Sequence, residues 1–331
     1  MSDSLEPISI TDVEGFSFGH WTNREAATGC TVIVAPHGAA AGVDVRGGAP
    51  ASRETDLLRP ENTVEQVHAV CLSGGSAFGL EAASGVAREL ESRGIGLDVG
   101  PTRVPIVCSS CLFDLAFGDA FVRPDVEAGA AATRLALDGN ATGLAEGTVG
   151  AGTGATVGKL LGMDRAMKGG LGARAFSLGA LKVGAISAVN ACGNVVDPIT
   201  LEPVAGARVS ADGTQIVDLE EGMLDAGAGL TMPLDRTNTT ISCIVTNARL
   251  TKAQATKVAQ MAADAYAHVI RPTHTTNDGD TIYVLASGGD DAPARPLDLL
   301  GLVATRALEA ALVAGCREAE GICGLPAARD L

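Results

Sequence analysis

Apolar positions along the chain fall into two kinds of run. Short, nearly continuous apolar stretches bounded by Gly or Pro predict strands over 29–36 and 41–46, joined as a hairpin, and over 67–72, 239–246 and 281–286. Residues 173–196 hold two or three more, separated by glycines. Apolar residues at helical spacing predict helices over 77–91, 125–137, 251–269 and 297–318; in the third, Ala255, Val258, Ala262, Ala265 and Val269 share one stripe. Between 205 and 236 the periodicity weakens and Gly, Pro and acids disperse, so a loop-rich connector is expected there. Strands and helices alternate without the rhythm of a doubly wound sheet, which points to an α/β fold of stacked layers.

Composition narrows the class. The chain has 331 residues, 46% apolar and 19% charged, enough for one large domain or two smaller ones and unlike a disordered or coiled-coil chain. Aromatics are 3%, so the core must be built from Val, Ile, Leu and Ala. Thirty-nine acids against 24 bases give a formal charge of −15, which repels phosphate backbones and anionic membrane surfaces; no nucleic-acid or membrane partner is expected. The N-terminus lacks a secretory pattern and no window of about eighteen uninterrupted apolar residues occurs, so a cytoplasmic location is expected. The eight cysteines are scattered and read as buried thiols, and the sequons Asn140-Ala-Thr142 and Asn238-Thr-Thr240 would go unused without secretion.

Candidate chemistry begins with motifs that fail. Gly150-Ala-Gly-Thr-Gly-Ala-Thr-Val-Gly-Lys159 looks like a phosphate loop, but Thr153 and Leu160 occupy positions where such a loop needs glycine and a hydroxyl residue; its lysine can still serve a cleft. Gly74-Gly-Ser76-Ala-Phe78 misses a nucleophile elbow because Phe78 is too large. Cys108-Ser-Ser-Cys111 has redox spacing without a second pair, and the five histidines, His20, His37, His68, His268 and His274, lack ligand spacing, so neither metal nor cofactor is expected.

Asp235-Arg-Thr-Asn-Thr239 is more informative, because a connector delivers a hydroxyl residue to the start of a buried strand. If the Asn238–Thr239 bond were cut, Thr239 would carry an α-amine beside its own hydroxyl, a nucleophile and base in one residue. Asp278-Gly-Asp280 precedes another strand, so two carboxylates can emerge at one strand end, and Asn190 lies between strands where its amide N–H can stabilise an oxyanion. Each of these residues alone is an ordinary loop or strand-end feature.

Together with Arg46-Gly-Gly-Ala-Pro50, Arg53-Glu-Thr-Asp56, Ser73-Gly-Gly-Ser76-Ala-Phe-Gly79, Met167-Lys-Gly-Gly170 and Leu250-Thr-Lys-Ala253, these motifs carry a resemblance over about 10–288. The chain resembles the L-aminopeptidase/D-esterase family, which includes β-peptidyl aminopeptidases and nylon-oligomer hydrolases. The resemblance implies a layered αββα sandwich of N-terminal-nucleophile type, cut into a large fragment 1–238 and a small fragment 239–331 that together form one structural domain. It implies a homo-oligomer, a tetramer of such fragment pairs, acting without a cofactor on small amide, peptide or oligoamide substrates.

By the same resemblance Thr239 is the nucleophile, Lys159 the cleft lysine, Asn190 the oxyanion-side amide, and Asp278 and Asp280 the aspartates of self-cleavage and nucleophile orientation. Some members use a tyrosine in the oxyanion hole; Tyr266 and Tyr283 are the tyrosines here, both downstream of the junction. The Asn238-Thr239 junction looks closer to the nylon-oligomer (6-aminohexanoate) branch, whereas aminopeptidase members usually present Gly-Ser. The expected activity is therefore self-processing amide hydrolysis, with an aminopeptidase for L-, D- or β-amino-acid substrates as the alternative. A non-catalytic scaffold of the same fold is a third possibility, disfavoured by the presence of Thr239, Lys159, Asn190 and both aspartates.

Overall fold

In the computed structural model, which describes residues 4–139, 143–226 and 238–331, ten strands share one sheet. They are β1 (Leu5–Ile8), β2 (Ser17–Asn23), β3 (Thr28–Val45), β4 (Ser52–Arg53), β5 (Val67–Ser73), β6 (Val107–Cys111), β7 (Leu171–Leu178), β8 (Leu181–Ala188), β9 (Ile241–Thr246) and β10 (Thr281–Ala286). Their order is β1-β7-β8-β9-β10-β3-β5-β6-β4, with β2 also on β3. Pairing is antiparallel except for β9 with β10 and β5 with β6.

The expected hairpin over 29–46 is instead the single strand β3. Its first half pairs with β2 and β5 and its second half with β10, and the register with β5 slips between Val34 and Ala39. Pro36 lacks an amide and Gly38 takes φ +79, so Pro36-His-Gly38 bends the strand without turning it back. One strand thereby belongs to two stacked half-sheets.

Side-chain alternation then sorts the core into three slabs. Ile33, Val70 and Leu72 from one half-sheet meet Ile241, Cys243, Val245, Tyr283 and Leu285 from the other. The opposite faces, Val32, Val34, Ala69 and Cys71, pack on α1 (Ala82–Ser92) and α2 (Val126–Asp138). Ile244, Ile282 and Val284 pack on α4 (Lys252–Ala262), α5 (Asp264–Val269) and α6 (Leu297–Arg317), while a further helix, α3 (Leu219–Ala226), lies within the expected connector. The layers run α, β, β, α, as the family resemblance implied. Strands such as β9 and β10 are apolar at consecutive positions because both of their faces are buried.

Helix limits follow local chemistry. Asp125 caps α2 by accepting from Ala128 N at 2.9 Å, and Thr251 with Gln254 forms a capping box on α4. The single helix expected over 251–269 breaks at Ala263 into α4 and α5, yet its whole predicted stripe is buried. The start of the helix expected at 77 is a tighter 3-10 turn, Ser76–Glu81, ahead of α1. Among the described residues α6 is the helix long and apolar enough to cross a membrane, and most of it is buried in the core. The Asn140 sequon and residues 227–237 of the connector lie outside the described residues.

Candidate active site

Strands β9 and β10 are parallel neighbours with Ile241 opposite Thr281, so the segments before them, 238–240 and 278–280, emerge side by side. On the other flank Ala188 of β8 lies opposite Ile241, and the chain leaving β8 arrives at the same sheet end. The Thr239 amide donates to the Asn190 carbonyl at 2.8 Å, and the Thr240 amide to Asp280 Oδ1 at 2.8 Å. Lys159 arrives on the Gly-rich segment, whose Gly158 and Lys159 amides donate to the Gly193 and Cys192 carbonyls at 3.0 Å. Its Nζ donates to Asn190 Oδ1 at 2.7 Å and to the Asn190 carbonyl at 3.3 Å. Asn238, Thr239, Lys159, Asn190, Asp278 and Asp280 are thus brought to one buried place.

The Thr239 hydroxyl donates to the Asn238 carbonyl, and its oxygen accepts from Gly279 N at 3.1 Å. A Cβ at 279 would stand 2.8 Å from Thr239 Oγ1 and 2.9 Å from Ala49 O, so glycine is what lets that amide reach the hydroxyl. Asp278 shapes the turn that presents it, accepting from Thr275 N at 2.7 Å while its own amide donates to Thr275 O at 3.2 Å. Asn190 donates through Nδ2 to Phe113 O at 3.0 Å, and its Oδ1 also accepts from Thr156 N at 3.0 Å.

Burial governs the charges. Desolvation pulls Lys159 down to about 7, against the opposing pull of acids that include Asp278. Asp278 is pushed up to about 6 by burial and then by the neighbouring Asp280 charge. Cys192, beside them, is pushed up to about 12 by burial, which makes it a neutral thiol near pH 7 and a poor nucleophile. Cys108 and Cys111 are buried and raised for the same reason. Among the described residues no group of three or more His, Cys, Asp or Glu side chains is arranged to hold a metal ion.

The other motif lysines have structural partners. Lys168 Nζ donates to the Thr153 carbonyl at 2.9 Å and to that of Ala155, and Lys252 Nζ to those of Leu57, Asn62 and Val64 at 3.0, 2.7 and 3.1 Å. These ammonium groups knit loops together, whereas Lys159 stands in the cluster. Tyr283 shares a hydrogen bond with Ser110 Oγ at 2.8 Å between the half-sheets, and Tyr266 donates to the Thr240 carbonyl at 3.1 Å. Sequence reading missed Gly279 N–H and His274, which pairs with Asp280 Oδ2 at 2.8 Å. The available signal was the place of His274 just upstream of Asp278-Gly-Asp280.

The layered fold is that of N-terminal-nucleophile hydrolases. The chain superposes on the L-aminopeptidase D-Ala-esterase/amidase from Ochrobactrum anthropi, described as a variant of that fold, with a TM-score of 0.66, 19% identity and coverage of 98% of this chain and 91% of that one. The chain belongs to peptidase family S58, whose model matches residues 9–328, beyond the span carried by the motifs. It is 38% identical to an uncharacterised aminopeptidase of Mycobacterium leprae, covering 96% of this chain and 92% of that protein. It is 31% identical to the 6-aminohexanoate-oligomer endohydrolase of Paenarthrobacter ureafaciens, covering 86% and 76%. Overall identity is therefore higher to the aminopeptidase, although the Asn238-Thr239 junction looked closer to the nylon-oligomer branch.

Proposed function

We propose that the chain is a self-processing amide hydrolase in which Thr239 cuts the Asn238–Thr239 bond and then serves as the nucleophile of the mature enzyme. Supporting it most directly is the Thr239 hydroxyl, held between Gly279 N–H and the Asn238 carbonyl it would attack. In the first step Oγ1 bonds to the Asn238 carbonyl carbon, the C–N bond breaks, and the hydroxyl proton passes to the departing nitrogen. Water then hydrolyses the ester, leaving a carboxylate on Asn238 and an α-amine on Thr239. Gly279 N–H offsets the charge that grows on Oγ1. Lys159, with a pKa near 7 and its Nζ on the same carbonyl as the Thr239 amide, is assigned to relay the proton.

In the mature enzyme the new α-amine, with an ordinary pKa of about 8, takes the proton from Oγ1 as a substrate carbonyl is attacked. A Lys159 cation nearby disfavours the protonated amine, Asn190 Nδ2 polarises the substrate carbonyl, and Asp278 and Asp280 keep Thr239 oriented. Fragments 1–238 and 239–331 stay together because β9, from the second, is hydrogen-bonded to β8 of the first, and β10 to β3. The working form is an oligomer of such pairs, and the substrates are small amides, with short peptides favoured by the aminopeptidase relative and oligoamides by the endohydrolase.

Intact mass with N-terminal sequencing tests this. A new terminus at Thr239 is expected, with Thr239→Ala uncut and inactive and Thr239→Ser keeping part of both activities. An uncut chain that turns over amides at full rate overturns the mechanism. A panel of amino-acid anilides, β-peptides and aminohexanoate oligomers then separates the two substrate classes, and turnover should survive EDTA.

A further inference from the structure

Directly behind Thr240 two aromatic side chains lie face to face. The Tyr266 and His274 rings stack with centroids 5.4 Å apart and planes 18° from parallel. Each secures a different peptide group of Thr240. Tyr266 donates to the Thr240 carbonyl at 3.1 Å, where Thr281 N also donates at 3.2 Å, and shares a hydrogen bond with Ser242 Oγ at 2.7 Å. His274 Nδ1 meets Asp280 Oδ2 at 2.8 Å, while Asp280 Oδ1 holds the Thr240 amide at 2.8 Å.

His274 Nε2 has no hydrogen-bond partner among the described residues, so the ring's polar contact is directed at Asp280. Its backbone takes φ +55, a left-handed conformation uncommon outside glycine that favours short polar side chains. Such strain persists where surrounding contacts over-determine it. Here these are the ring stack and the donations of His274 N and Nδ1 to one carboxylate, at 3.2 and 2.8 Å.

Thr240 matters because of what the cut removes. In the uncut chain Thr239 is held on both sides, by Asn238 before it and Thr240 after it. Once the bond is broken, Thr239 is a chain terminus, and covalent control of where Oγ1 points comes from the Thr240 side alone. We infer that Tyr266 and His274 form a positioning pair that locks the two peptide groups of Thr240 and thereby aims the Thr239 hydroxyl. This rests on the proposed nucleophile, and it adds that the pair acts more strongly on amide turnover than on self-cleavage.

Three variants test it. Tyr266→Phe keeps the ring stack and removes the hydroxyl. His274→Ala removes ring and donor. His274→Asn restores a short donor toward Asp280 Oδ2 and suits the left-handed backbone. A misplacement of about 1 Å reduces rate by roughly 10²-fold, so kcat should fall about 10- to 100-fold in the first two, with KM within about twofold. Self-cleavage should slow less than kcat, and His274→Asn should recover most of the loss. Parental kcat in both Tyr266→Phe and His274→Ala, or a lowered melting temperature without a kcat loss, overturns the pair; if His274→Ala does not fold, Tyr266→Phe decides. Thr239→Ala is assayed alongside: residual activity there would overturn the nucleophile itself, whereas an inactive Thr239→Ala beside unaffected pair variants would overturn only this inference.

Discussion

Lys159 and Asp278 are displaced from their ordinary ranges in opposite senses, and the directions give a pH signature. Asp278 is protonated below about 6 and ionised above it, while Lys159 is a cation below about 7 and neutral above it. If removing the Thr239 proton during self-cleavage needs the carboxylate and the neutral amine, self-cleavage should rise between pH 6 and 7. Cleavage followed after cell-free synthesis in buffered reactions should show that limb, and Lys159→Met should abolish it along with most of the rate. The same lysine has a stability consequence. Its folded pKa lies below its unfolded value, so its contribution is most favourable above the unfolded pKa and is lost as pH falls toward 7. The melting temperature of Lys159→Met minus that of the parent should therefore grow as pH drops from about 10 to 7 and level off below; a difference independent of pH would show that burial does not depress Lys159. Gly279→Ala forces a methyl against Oγ1 and should slow self-cleavage by roughly 10²-fold, readable from the fraction uncut. Thr239 and the two aspartates were open to sequence reading because each lies just ahead of a strand whose apolar run is visible. Gly279 was not, since its contact with Thr239 is made by a backbone N–H, and His274 was missed because histidines were weighed only for metal-ligand spacing.

Among elements, the layered arrangement depends on close approach. A Cβ at Gly85 would stand 1.8 Å from the Val126 carbonyl oxygen, and one at Gly129 would stand 1.9 Å from that of Ala82, so α1 and α2 touch backbone to backbone. Gly85→Ala must push the helices apart, at a cost of about 2 kcal/mol or more, measurable by denaturant titration. Self-cleavage should persist under conditions where the variant stays folded, because neither α1 nor α2 supplies a hydrogen-bond partner of Thr239 among the described residues. Strands buried on both faces were legible as apolar runs, and β10 matches its predicted limits. The continuity of β3 was not legible, because Pro36-His-Gly38 signals a turn locally and only distant partners decide otherwise. The break at Ala263 was hidden for a related reason: the buried stripe runs through it and keeps its phase.

On the scale of the whole molecule, the proposed scissile bond precedes a strand that lies inside the sheet. β9 and β10 come late in the chain yet stand between β8 and β3, which come earlier. Until those late strands arrive, β8 and β3 each present an open edge of unpaired amides and carbonyls, a template for self-association. Residues 1–238 made alone should therefore aggregate, while the same residues co-produced with 239–331 should stay partly soluble; sedimentation of the two preparations distinguishes them. The late wedge also sets an order of events. The Thr239 hydroxyl and Gly279 N–H sit just ahead of the paired strands β9 and β10, so the proposed reacting atoms should assemble as the sheet closes. Under the proposed mechanism scission would report completed folding: a misfolded copy would remain in one piece, and the ratio of cut to uncut chain in a cell extract would measure folding yield.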